Sequence, residues 1–228
     1  WSPDGQWFSV DFIDKNRWVS EVGLVKADGS QAVKNITESG YTEAGAQWIN
    51  EGTAIVYYSD KQGFRSHGSW GSTGDAYALY LTKEAYDKAQ MSKDEYEIWK
   101  EQQKEDKDDK EEDDKKSKKK ETEKKSNGVK IEWDNLDDRL DRLTISSSFI
   151  SDMKVSPDGE KLYYLSSRDN SYDLWELEIR EKKTKTIGNF KGSGASLAMD
   201  KKGENLFVMA GGSIYKVEAK SGTSKPVS

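Results

Sequence analysis

Apolar and polar residues alternate with a period of two in short runs along most of this chain, and clusters of turn formers separate the runs, the pattern of half-buried β-strands. The clearest instance is VSPDG at 155–159, followed by Leu162, Tyr163, Tyr164 and Leu165. Proline presets the first turn position, aspartate favours turn geometry, and glycine supplies the positive φ that closes the reversal. The same arrangement opens the chain as WSPDG before Trp7, Phe8 and Val10, and recurs in degraded form as WINEG at 48–52 and MDKKG at 199–203. The structural turn residues are therefore Pro3, Asp4, Gly5, Gly52, Pro157, Asp158, Gly159 and Gly203. An apolar residue also precedes the turn glycine at constant distance in three copies: Ile36 before Gly52, Leu143 before Gly159, and Ile187 before Gly203. Equal spacing predicts equal structure, and the basic period matches a four-stranded blade of a β-propeller.

The predicted class is all-β, a propeller of four four-stranded blades at 1–37, 41–144, 149–190 and 195–228, similar in kind to WD-repeat arrays. The first blade shows only three strands, at 6–13, 19–26 and 32–36, and lacks its first. The second carries two insertions. One is the connection 60–74, containing QGFRSHGSWGSTG and the single histidine of the chain. The other, 83–128, opens with a helical pattern: Thr82 is a candidate N-cap, and SKDE at 92–95 matches a capping box ahead of Tyr96 and Trp99. In an antiparallel blade with strands a to d, the b–c and d–a connections share one rim and the a–b and c–d connections the other. The histidine loop and the helical insertion are thus expected on opposite rims.

Charge changes the picture locally. Between 100 and 125, 22 of 26 residues are charged, eleven of each sign, so the remaining 202 residues carry the whole net charge of −6. With no apolar residue to bury, 100–125 is expected to be disordered or a solvated, frayed helix. The acidic balance excludes a basic stripe for a nucleic-acid backbone. No run of 18 apolar residues spans a membrane, and the absence of cysteine excludes disulfides and thiolate metal sites. The acidic stretch 106–114 has charges for a metal but interleaved lysines, and neither a metal nor any other cofactor is expected. The chain opens inside a repeat and reads as a fragment, whose propeller edges could pair with other copies.

His67 between Ser66 and Ser69 invites a nucleophile-and-base reading, but GSWGS lacks the form of a nucleophile elbow, and no catalytic residue is assigned. Long loops on rigid β scaffolds carry binding functions, and aromatics with arginine anchor interfaces. Phe64, Arg65, His67 and Trp70 are therefore the candidates for peptide or interdomain contact. Glu21, Asp75 and Asp173 recur at the start of each third strand, which points to architecture: carboxylates satisfied by neighbouring turns.

The stretches SHGSWGSTGDAYALYLTKEAYDK at 66–88, the charged insertion after it, and WDNLDDRLDRLTISSS at 133–148 resemble the bacterial tricorn-like serine peptidases. That resemblance implies a hydrolase whose nucleophile lies in a C-terminal protease region, with this propeller as a non-catalytic part serving substrate access, peptide binding or scaffolding. Its implied partners are peptides or the protease region of the same parent chain, and its implied compartment is the periplasm or the exterior. The alternative is a stand-alone, TolB-like periplasmic propeller that binds protein.

Overall fold

The computed structural model describes residues 1–13, 18–66, 71–114 and 128–227. Each turn glycine named above has positive φ, between 69° and 90°, and each leads into a strand. Four antiparallel sheets result, each a meander of sequential strands. Blade 1 has three strands, β1 (Trp7–Ile13), β2 (Ser20–Lys26) and β3 (Lys34–Asn35). Blade 2 has β4 (Glu43–Ile49), β5 (Ala54–Ser59), β6 (Asp75–Tyr80) and β7 (Leu140–Arg142). Blade 3 has β8 (Ile150–Val155), β9 (Lys161–Arg168), β10 (Ser171–Glu178) and β11 (Lys183–Lys191). Blade 4 has β12 (Ala195–Met199), β13 (Asn205–Ala210), β14 (Ser213–Glu218) and β15 (Ser224–Pro226).

The core lies between the sheets. Trp7, Val22 and Leu24 of blade 1 pack with Ile55, Tyr57 and Leu79 of blade 2. Val56 and Ala78 of blade 2 pack with Leu162, Tyr164 and Leu177 of blade 3, and Tyr163 and Leu165 of blade 3 pack with Leu206, Val208 and Val217 of blade 4. Both sides of a middle blade are buried, so β5 and β9 are continuous apolar runs rather than strict alternations. Truncating a fully buried leucine such as Leu162 removes about 2–5 kcal/mol.

Between β6 and β7 the chain leaves the sheet as α1 (Lys83–Gln90) and α2 (Lys93–Asp114). Thr82 caps α1, its hydroxyl accepting from the Ala85 amide at 3.2 Å, and Ser92 and Glu95 make the reciprocal bonds of a capping box at the start of α2. Helix α2 carries the first part of the charged run to Asp114, while the rest of the run, 115–125, expected to be disordered or a frayed helix, lies outside the described residues. No described helix is long and apolar enough to cross a membrane.

The returning segment is held by Arg139, which is buried and donates to the carbonyls of Tyr80, Glu132, Asp134 and Asn135. Trp133 meets Trp7 with ring centroids 5.8 Å apart and lies 3.8 Å beneath the Lys34 ammonium. The motif at 133–142 is thus a structural clasp that returns the chain to the edge of β6, where Leu140–Arg142 pairs.

Candidate peptide-contact face

The loop 60–74 leaves β5 and re-enters at β6, so it shares a rim with the connections that lead into β4 and β8. Asp60 ties the rim together. It is buried, and its carboxylate accepts from the Thr42 amide (2.9 Å), the Ser72 hydroxyl (3.0 Å) and two nitrogens of Arg65 (2.6 and 3.1 Å). Burial works against the charge on Asp60, but the Arg65 guanidinium, the Thr42 amide and the Ser72 hydroxyl outweigh it and hold the carboxyl below its ordinary range. Arg65, raised in turn by its bonds to Asp60, lies 5.1 Å from the centre of the Tyr41 ring.

Beyond Asp60 the described arms of the loop, up to 66 and from 71, pair through polar groups. The Phe64 amide donates to the Thr73 hydroxyl, the Thr73 amide to the Phe64 carbonyl at 2.9 Å, and the Ser66 amide to the Gly71 carbonyl at 3.1 Å. Its base is fastened to the next blade by paired bonds between Gly74 and Ser148. Phe64 is 74% exposed on this fixed backbone, with the partly exposed Arg65 beside it. His67 and Trp70, the other two predicted contact residues, lie outside the described residues, as does Ser69.

The carboxylates at the third-strand starts support the same rim. Glu21 accepts from the amides of Ser39 and Gly40 and from the Thr37 hydroxyl. Asp75 accepts from Arg142, Thr144 and Ser147, and Asp173 from Asn189. Each fastens a strand start to a neighbouring strand or connection. Glu43 lies in the same cluster: it bonds Ser39 and Ser59, and burial pushes its carboxyl up.

The opposite rim holds a cavity of about 420 Å³ that sequence reasoning did not find. Asn50, Tyr80, Lys88, Tyr96, Gly159 and Arg180 line it, bringing the turns of blades 2 and 3 under the two helices. Arg180 donates to the carbonyls of Lys88, Ala89 and Met91 at the end of α1, pairs with Glu160, and stacks 3.8 Å from Tyr96 of α2. It docks the helical insertion on blade 3. Some 90 residues separate it from the carbonyls it holds at the end of α1, and no local pattern announces the contact. Among the described residues, no group of three metal-ligating side chains converges.

No protein-family model matches this chain, and no curated protein matches it. Solved structures do. TolB from Acinetobacter baumannii aligns over 99% of this chain with a TM-score of 0.61 and 12% identity. The fold is a β-propeller. The tricorn protease aligns over 97% of the chain with a TM-score of 0.58 and 8% identity, and a putative TolB from Agrobacterium tumefaciens over 99% with 0.55 and 13%. The propeller spans 42%, 21% and 62% of those three chains respectively. At such identities the likeness is one of fold.

Proposed function

We propose that this propeller is the non-catalytic part of a tricorn-like, exported serine peptidase, and that the rim carrying Phe64, Arg65, His67 and Trp70 contacts peptide substrate or the protease region of the same parent chain. The observation that carries the reading is Phe64, a large apolar side chain exposed on a loop that Arg65 and Ser72 tie to the buried Asp60 carboxylate. Exposed aromatics on an ordered scaffold lose little entropy on binding, which is what an anchor needs. The motifs at 66–88 and 133–148 favour the peptidase parent. The test compares the parent enzyme with its Phe64→Ala variant on peptide substrates. A several-fold rise in KM with kcat retained supports a substrate-contact role; unchanged kinetics together with unchanged association of propeller and protease regions refutes it. Peptide hydrolysis by the 228-residue chain alone, abolished by His67→Ala, would overturn the non-catalytic assignment.

The second reading is a TolB-like periplasmic protein-binding propeller, favoured by the likeness to the two TolB structures. The parent reading frame separates the two, since only the first requires a protease region in the same chain.

A further inference from the structure

The cavity beneath the helical insertion is lined by both signs of charge. Arg180 and Lys88 flank the Tyr96 ring, the guanidinium 3.8 Å and the ammonium 5.6 Å from its centre. Arg180 gives Nε to Glu160 and Nη1 to the carbonyls at the end of α1, and its side chain is 11% exposed. Its Nη2 has no hydrogen-bond partner among the described residues. The Lys88 ammonium rests 4.3 Å from the centre of the Trp99 ring and forms no ion pair among the described residues. Lys100, the third cation at Tyr96, is paired with Glu97. Burial lowers the Lys88 ammonium below its ordinary range, and the Arg180 charge adds to that. Neighbouring cations disfavour each other's charge, and an anion between them relieves it.

The turns of blades 2 and 3 bring acids to the same cavity. Glu51 and Asp158 line it and are exposed. Asp158 serves its own turn through Oδ1, which accepts from the Ser156 hydroxyl and the Glu160 amide, so Oδ2 stays open to a donor. Glu51 makes no side-chain hydrogen bond or ion pair among the described residues. Tyr80, buried at the end of β6, also lines the cavity, and its hydroxyl has no hydrogen-bond partner among the described residues. Ala85, Ala89 and Ile179 add apolar surface.

We propose that this cavity binds a free apolar amino acid as its zwitterion, with the carboxylate on Arg180 Nη2 and Lys88, the ammonium on Glu51 and Asp158, and the side chain against Tyr80 and Ile179. The unused donors set the place of the carboxylate, and the Tyr80 hydroxyl is a further donor to it. Specificity follows from the mixture of charges. A plain anion would meet Glu51 and Asp158, and a plain cation would meet Lys88 and Arg180, so neither single charge satisfies the whole lining. The site lies on the rim opposite Phe64, and the inference does not rest on the peptide-contact reading.

The volume of about 420 Å³ suits a compact molecule, being at the lower end of the roughly 300–1,000 Å³ of small-molecule sites. Its lining comes from three parts of the fold: the turn of blade 2, the turn and Arg180 of blade 3, and the two helices. A molecule that touches Lys88 on α1 as well as Glu51 and Arg180 on the blades therefore also holds the insertion against the rim, because a ligand stabilises the arrangement that binds it.

The experiment is isothermal titration calorimetry on the 228-residue chain with L-phenylalanine and L-leucine. N-acetyl-L-phenylalanine, which lacks the ammonium, and L-phenylalaninamide, which lacks the carboxylate, are the controls. Phenylalanine is expected to bind with a Kd on the order of 1 mM or tighter, and each control at least about tenfold more weakly. Lys88→Met and Glu51→Gln are each expected to weaken phenylalanine about tenfold while Tm stays within about 2 °C of wild type, which separates a lost contact from a lost fold. Hydrogen exchange in α1 is expected to slow when phenylalanine is added. No binding of phenylalanine or leucine at about 10 mM overturns the proposal, as does a control that binds as tightly as phenylalanine. Folded variants that both bind like wild type overturn it too. The comparison of ligands on the wild-type chain decides the case even where a variant does not fold.

Discussion

Asp60→Ala tests the idea that a buried carboxylate holds the contact rim. The substitution removes four accepted hydrogen bonds, from the Thr42 amide, the Ser72 hydroxyl and two Arg65 nitrogens. Bonds from neutral donors to a buried carboxylate contribute about 1.5 kcal/mol each at the low end. Arg65 is 46% exposed, so its ion pair is discounted to about 1 kcal/mol or less. The total is about 3–4 kcal/mol, or a Tm lower by roughly 6–16 °C for a chain of this size. Thermal melts followed by circular dichroism measure it. The pH dependence supplies a second readout with a defined sign. The Asp60 carboxyl is held below its ordinary range in the folded state, so its stabilisation is fully present above the unfolded value of about 3.9 and is lost as pH falls through the folded value. The gap between wild type and Asp60→Ala should be constant from about pH 5 to 8 and close below about pH 4. A variant melting within about 2 °C of wild type, with no narrowing of the gap in acid, would refute the reasoning.

Gly159 has φ of 75°, and a Cβ there would lie 2.2 Å from Asn50 Oδ1; Gly159→Ala should cost about 2–4 kcal/mol by urea unfolding. Arg180→Lys keeps the charge but loses the planar group that pairs with Glu160 through Nε while its Nη1 reaches the carbonyls at the end of α1; hydrogen exchange should speed up in α1 and the first turns of α2 while β9 and β10 keep their protection. Deleting 105–125 should move Tm by less than about 2 °C, since a run without apolar residues has nothing to bury; a larger fall would mean that it packs. Burial raises the Glu43 carboxyl, so wild type loses stability as pH rises through the folded value, whereas Glu43→Gln does not titrate there; the variant should gain relative to wild type between about pH 5 and 8 in parallel melts.

The blades were legible because two local signals agree. Turn glycines need positive φ, and the apolar run after each needs two covered faces, so WINEG and MDKKG could stand beside SPDG despite their different letters. The two-residue β3 falls within the strand expected at 32–36, whereas the three-residue β7 leaves only a weak apolar trace, because a short outer strand presents few side chains to pack. The paired arms 64–66 and 71–73 leave no strand signal in the sequence for a related reason. Phe64, Arg65 and Ser66 meet Gly71, Ser72 and Thr73 through backbone and hydroxyl bonds, and a ladder of polar residues leaves no period in hydrophobicity.

The polar fastenings follow a different logic. Glu21 and Asp75 could be read as architectural because they recur at one position of the repeat, and the structure satisfies them through the connections into blades 2 and 3. Asp60 and Arg180 occur once each, and their roles depend on elements that the repeat does not contain: the long loop for Asp60, the helical insertion for Arg180. A repeat announces what every blade needs. What one blade adds is anchored by single residues whose partners are set by the folded chain, so those residues become visible only when the added element is seen against the blade. Both additions to blade 2 are held in this way, one on each rim, by a charged side chain: Asp60 accepts from the side chains of Arg65 and Ser72, and Arg180 donates to the carbonyls at the end of α1. The scaffold can therefore carry an exposed aromatic at one end of its strands and a docked helix pair at the other without altering the apolar register between the blades.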